Sequence, residues 1–176
     1  MKPLILNRPH LIVMLGLPGS GKSFFADHFA NTFMAPIVSF KQLQKEIYLN
    51  QLPTKEEEKV VNRMIGYMLG EIMKTERTVV LDGPIFLSDS SDFINKITNK
   101  FGYDPLYVWV QTDPITSKKR AVKSSDDKHA IKPEQFDELA KQFTPPKRAK
   151  KIIVISGKHT YASQLKIVLK YLAEPI

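Results

Sequence analysis

The chain has 176 residues, 43% of them hydrophobic, enough for one globular domain with a full core and too apolar for a disordered chain. It carries no cysteine, which excludes disulfides and thiol-ligated metals, and a net charge of +8. That charge is local: residues 118–151 hold 11 Lys/Arg against 5 Asp/Glu, a surplus of +6, suited to phosphate on ATP, a nucleotide or a nucleic acid, or simply to a solvated face.

Near the N-terminus, Pro3, Asn7, Arg8 and Pro9 interrupt the apolar residues. Neither a signal peptide nor a membrane span is predicted, and a cytoplasmic protein without a membrane partner is expected. His10 to Leu15 reads as a buried strand. Next comes Gly16-Leu17-Pro18-Gly19-Ser20-Gly21-Lys22-Ser23, which matches G-x-x-x-x-G-K-[ST] at every fixed position. Phe24, Phe25, His28, Phe29 and Phe33 follow at helical spacing. Strand, glycine loop and helix form the arrangement that wraps backbone N–H groups and a helix N-terminus around a polyphosphate.

Pro36 to Val38 is a second, short strand, and Gln42 to Tyr48 reads as helix. Thr54 to Thr75 is the clearest helix, with a capping box from Thr54 and Glu57. Val60, Val61, Met64, Ile65, Met68, Leu69, Ile72 and Met73 are expected to form its inward face. Thr78 to Leu81 is a third strand. Ser88 or Asp89 is expected to cap the next helix, with Phe93, Ile94 and Ile97 inward. Leu106 to Val110 is a fourth strand. Pro133 starts a helix that buries Phe136, Leu139 and Phe143; Ile152 to Ile155 is a fifth strand; Thr160 begins a closing helix. Apolar strands alternating with helices predict a parallel sheet covered on both faces, in a single domain spanning residues 1–176. Ligands on such sheets bind at the carboxyl ends of the strands, so the glycine loop, Asp82, Asp113 and the Ser156-Gly157-Lys158 turn are expected on one rim.

Three sets of residues carry chemistry. Lys22 is placed to reach the β- and γ-phosphates, and Ser23 to offer its hydroxyl to Mg²⁺. Val79-Val80-Leu81-Asp82-Gly83 resembles a Walker B strand, whose carboxylate holds Mg²⁺ or orients the acceptor. Lys118, Lys119, Arg120 and Lys123 follow Asp113-Pro114, and Arg120 is the candidate clamp, because a planar guanidinium grips phosphate bidentately. The four histidines show no metal-ligand spacing, and no nucleophile–base triad is legible.

These residues resemble the small bacterial P-loop kinases often labelled AAA-family ATPases, grouped with polynucleotide-kinase and zeta-toxin-like proteins and more distantly with nucleotide and shikimate kinases. The likeness rests on residues 16–23, Leu81-Asp82-Gly83, the segment around Arg120, Phe136 to Pro146, and Val154 to Gly157. It implies a three-layer P-loop NTPase with a five-stranded parallel sheet in the order 2-3-1-4-5. It also implies a mobile basic lid at about residues 118–141, and Mg²⁺–ATP as phosphoryl donor. On that pattern Lys22, Asp82 and Arg120 would be catalytic, and Ser23 and Asp82 would hold the metal. Residues Gly16 through Phe24, together with Arg120, Gly157 and Lys158, would bind the nucleotide. The loop from Ser156 to Thr160 resembles the place where such proteins pack the adenine.

The sequence departs from that pattern on the acceptor side. The family has Ser-x-Asp-x-[Leu/Ile]-Arg after the second strand, with the Asp as base and the Arg on a phosphate; here Ser39-Phe40-Lys41-Gln42-Leu43-Gln44 stands there. Phe24 replaces a frequent Thr but keeps its backbone N–H, and the second lid cation is Lys123 rather than Arg. A protonated lysine is not a base without a large pKa shift. Asp82, Asp126 or Asp127 are alternative helpers of the acceptor. Two classes of function follow. One is a kinase moving the γ-phosphate of ATP to an unidentified hydroxyl on a small molecule, a nucleotide or a nucleic acid. The other is a nucleotide-binding or slow ATPase module acting through a partner. An end-processing kinase of nucleic acid is a weaker third reading, resting on the basic lid alone.

Overall fold

The computed structural model describes residues 8–47, 55–83, 90–123, 131–144 and 151–173. Five strands, β1 (His10–Leu15), β2 (Ile37–Ser39), β3 (Val79–Asp82), β4 (Asp104–Gln111) and β5 (Ile152–Ser156), form one parallel sheet. Its order is β2-β3-β1-β4-β5, as the resemblance implied. Helices α1 (Lys22–Phe33), α2 (Phe40–Ile47), α3 (Lys55–Met73), α4 (Ser90–Phe101), α5 (Pro114–Val122), α6 (Pro133–Gln142) and α7 (Tyr161–Ala173) connect and cover the strands.

The central strand explains the layering. Every residue of β1 is buried, and successive side chains alternate between faces. Leu11, Val13 and Leu15 meet Val61, Ile65 and Leu69 of α3 and Ile94 of α4 on one face. Ile12 and Met14 meet Phe25 and Phe29 of α1 and Val168 and Leu172 of α7 on the other. A strand that is apolar at every position is the signature of a sheet buried on both sides.

Several expectations change in detail. Val60 and Met64 are 47% and 40% exposed, so the inward face of α3 is narrower than its apolar sequence, running through Val61, Ile65, Leu69 and Met73. Those four recur every fourth residue along one ridge, with Met68 and Ile72 packed beside it. Phe93 is partly exposed rather than inward, yet its ring lies against Gly66 of α3, where a Cβ would stand 3.1 Å from it. Strand β4 starts at Asp104, two residues before the predicted Leu106. Pro105 is tolerated because β5 pairs with β4 only from Tyr107 onward, so its missing N–H deprives no neighbouring strand. The predicted caps at Thr54, Ser88 and Asp89 lie outside the described residues.

A link that the sequence did not announce closes the end of α3. The buried Tyr103 hydroxyl donates to the Arg77 carbonyl at 2.8 Å and to the Met73 carbonyl at 3.2 Å, and burial pushes its pKa up to about 12. Among the described residues no helix is long and apolar enough to cross a membrane. Leu69 is fully buried between α3 and the sheet, so Leu69→Ala is expected to lower the unfolding free energy by about 2–5 kcal/mol in urea titrations.

Candidate phosphate-binding site

The sheet brings the predicted residues to the carboxyl ends of its strands. Residues 16–21 form the loop between β1 and α1, with Pro18 in its turn and the Ser20 N–H donating to the Leu17 carbonyl at 3.1 Å. Gly19 adopts φ 74°, a conformation that side chains resist. It also packs against α5: a Cβ there would stand 2.9 Å from the Ala121 nitrogen and collide with the Ser117 carbonyl.

The loop is braced from the β4–β5 side. The Thr112 hydroxyl donates to the Ser20 carbonyl at 2.9 Å, and the Gly157 N–H donates to the Gln111 carbonyl at 2.8 Å. Gly157 is a glycine for space, since a Cβ would overlap the Ser20 carbonyl and the Thr112 hydroxyl. Arg120 of α5 donates from Nη1 to the Gly157 carbonyl at 3.2 Å, which holds its guanidinium over the loop.

Lys22 and Ser23 open α1. The Ser23 hydroxyl donates to Asp82 Oδ2 at 2.7 Å. Asp82 ends β3 and is only 5% exposed, and its Oδ1 has no hydrogen-bond partner among the described residues. Burial lowers the pKa of Lys22 from the usual lysine value; the Asp82 charge opposes that shift and the Lys41 charge adds to it. One buried carboxylate with an open oxygen, beside a serine hydroxyl, is the hard-oxygen donor set that Mg²⁺ takes together with phosphate and water. Among the described residues there is no group of three or more His, Cys, Asp or Glu that could hold a metal.

A cavity of about 430 Å³ opens beside the loop, bounded by Lys22, Ser23, Phe24, Arg120 and His159. Gln164 also lines it, and sequence reasoning missed this residue. Its side chain is 2% exposed and donates to the Ser156 carbonyl at 2.8 Å, while its Oε1 has no partner among the described residues. A buried glutamine inside an amphipathic helix looks like any core-edge residue in sequence; only its position over the end of β5 sets it apart. Phe24, noted in sequence for its N–H, places an exposed ring at the cavity, 4.0 Å from the His28 ring.

Not every expected residue turns toward this cavity. The Lys158 ammonium pairs with Asp113 Oδ2 at 2.7 Å and, with Leu17, borders a separate hollow of about 540 Å³ beside Trp109 and Phe143. Asp113 reaches the predicted rim but caps α5, accepting from the Thr116 N–H at 2.8 Å. Lys158 and Thr116 hold its carboxyl far below the usual range. His10 sits at the opposite end of β1, buried, with its pKa lowered by that burial. Asp126, Asp127 and His129 lie outside the described residues. In the basic segment, α5 and α6 are joined by Lys118 and Asp137 at 2.7 Å.

A family model described as an AAA domain matches residues 11–146, from the first strand into the basic segment. The chain belongs to this AAA domain family. No curated protein matches it by sequence. Among solved structures, Chaetomium thermophilum Kti12 in complex with ADP-AlF3 superposes with TM-score 0.73 at 14% identity, over 92% of this chain and 96% of that one. Mycobacterium tuberculosis APS kinase CysC, in complex with AMPPNP and APS, gives 0.70 at 16% identity, over 94% and 98%. A gluconokinase from Sinorhizobium meliloti gives 0.67 at 16% identity, over 94% and 93%. These likenesses show a P-loop kinase-like fold for this AAA domain protein.

The close approach at Gly157 yields a test of the brace. Gly157→Ala is expected to push the Ser20 carbonyl, lowering the melting temperature and weakening ATP binding roughly tenfold or more in the protein that remains folded, as read by thermal unfolding and titration calorimetry.

Proposed function

We propose that this protein is an ATP-dependent kinase that moves the γ-phosphate of ATP to a hydroxyl on a small molecule, a nucleotide or a nucleic acid. The observation that carries the reading is the Ser23–Asp82 bond with Asp82 Oδ1 left open, set beside the desolvated Lys22 in a complete P-loop. Structures of similar fold hold AMPPNP or ADP-AlF3, which supports a nucleotide in this loop. The whole chain is read as one domain, with α5 and α6 as parts of its basic lid.

Each residue has a role in that reading. Backbone N–H groups of the loop from Gly19 to Phe24 surround the phosphates, and the Lys22 ammonium contacts the β- and γ-phosphates. Ser23 Oγ and the Asp82 carboxylate would hold Mg²⁺, which when bound neutralises charge on the β- and γ-oxygens. Arg120, tethered to the Gly157 carbonyl, offers its remaining N–H donors to the transferred group as charge develops there. Gln164 and His159, with the backbone at Gly157, border the end of the cavity where a base would rest. Lys158, which pairs with Asp113, contributes charge near the loop and not a direct contact. Phosphoryl transfer passes through a loose transition state, so positioning and charge outweigh a strong base.

A second reading has one observation in its favour. Lys41 occupies the position where related kinases carry a carboxylate, and this favours a nucleotide-binding or slow ATPase module acting through a partner.

ADP release with Mg²⁺–ATP, measured against pools of nucleosides, sugars, amino-acid derivatives and 5′-hydroxyl oligonucleotides, separates the two. The kinase reading expects one pool to stimulate turnover strongly; tight ATP binding without stimulation by any pool contradicts it. Lys22→Ala is expected to weaken ATP at least about a hundredfold while leaving circular dichroism unchanged, because it removes a desolvated charge-assisted contact.

A further inference from the structure

Gln164 borders the nucleotide cavity, yet the proposed function gives its side chain no contact. It stands at the start of α7, is 2% exposed, and lines the cavity with Phe24, Arg120, Gly157 and His159. The two ends of its amide are placed differently. Nε2 donates to the Ser156 carbonyl at 2.8 Å, while Oε1 is buried and has no donor among the described residues. A backbone carbonyl can face only the amide nitrogen, so this bond fixes which way round the amide lies. The Ser156 carbonyl also accepts the His159 N–H at 3.2 Å, so the turn after β5 does not depend on Gln164 alone. A tie between α7 and β5 therefore needs only the nitrogen. The oxygen is surplus to it, and a buried acceptor without a donor is a cost to the fold.

The edges of the bases decide what that oxygen suits. Adenine carries an amino group at C6, a donor, whereas guanine and hypoxanthine carry a keto oxygen there, an acceptor. Two acceptors brought together in a buried place leave both unpaired. Gly19, Gly21, Lys22 and Ser23 line the same cavity, so phosphates on the loop and a base at Gln164 share one continuous space of about 430 Å³. The exposed ring of Phe24 adds the apolar surface that a planar base needs. We infer that Gln164 Oε1 selects the base of the bound nucleotide: it accepts from an amino group at C6, so a 6-aminopurine is admitted and a 6-ketopurine is refused. The Ser156 carbonyl is the positioning group, because it holds Nε2 and keeps the oxygen free. This inference rests on the proposed nucleotide site, and it places base selection on a residue outside both the phosphate loop and the turn after β5.

Binding tests it without relying on turnover. The wild-type protein with Mg²⁺ would be titrated by calorimetry with ATP, with ITP, and with purine riboside 5′-triphosphate, which is ATP without its amino group. ATP is expected to bind about 10- to 100-fold more tightly than either of the others. Gln164→Met keeps the length of the side chain and removes both polar atoms, and the Ser156 carbonyl retains the His159 N–H. Thermal unfolding checks that this variant is folded, and Gln164→Leu takes its place if it is not. In the folded variant, ATP and purine riboside 5′-triphosphate should bind within about threefold of each other. A merely structural role for Gln164 would weaken both nucleotides alike and keep the preference, and that result overturns the inference. Equal binding of the two by wild type also overturns it, while leaving the proposed nucleotide site and the kinase reading standing. If none of the three nucleotides binds wild type, the proposed nucleotide site itself fails and the base selection falls with it.

Discussion

Burying a carboxylate costs several kcal/mol unless its lost hydration is replaced. Asp82 is buried at the end of β3, and among the described residues only the Ser23 hydroxyl donates to its side chain. One oxygen is satisfied and the other is not. This half-satisfied state ties α1 to β3 across the loop, keeps a negative charge beside the Lys22 ammonium, and leaves an oxygen that a cation would complete. Lys22 shows the counterpart: burial makes its charge expensive, and only Asp82 works in its favour. In the proposed function a polyanion would offset the buried Lys22 charge and a cation would complete the open Asp82 oxygen.

The loop that surrounds them is not held by α1 alone. Thr112 after β4 and Gly157 after β5 fasten the Ser20 region from the other side, and Arg120 reaches Gly157 from α5. The same few atoms thus connect the phosphate loop, the far strands and the start of the basic segment. Helix α5, which carries Arg120, also lies with its backbone close against Gly19 of the loop.

Much of this was legible in the sequence, for identifiable reasons. The phosphate loop declares itself because its glycines answer to backbone geometry and its Lys-Ser to chemistry, and neither depends on distant residues. The strands read clearly because a two-sided sheet demands unbroken apolar runs, as at His10–Leu15 and Val79–Asp82. Strand order was supplied by family resemblance, since periodicity says nothing of which strands are neighbours. What the sequence left open depended on tertiary placement. Val60 and Met64 are apolar yet partly exposed on α3, and the Lys158 ammonium pairs with Asp113. Tyr103 reaches carbonyls 26 and 30 residues away, and Gln164 turns back from α7 onto the end of β5; no local pattern encodes either.

The most direct measurement is a double-mutant cycle on Ser23 and Asp82, with ATP affinity read by calorimetry in the presence and absence of Mg²⁺. If the hydroxyl and the carboxylate act as one unit, Ser23→Ala and Asp82→Asn each weaken Mg²⁺–ATP by roughly tenfold or more, and the double variant is little worse than the weaker single one. Without Mg²⁺ the same substitutions should matter far less. Additive losses, or equal losses with and without Mg²⁺, would contradict the account.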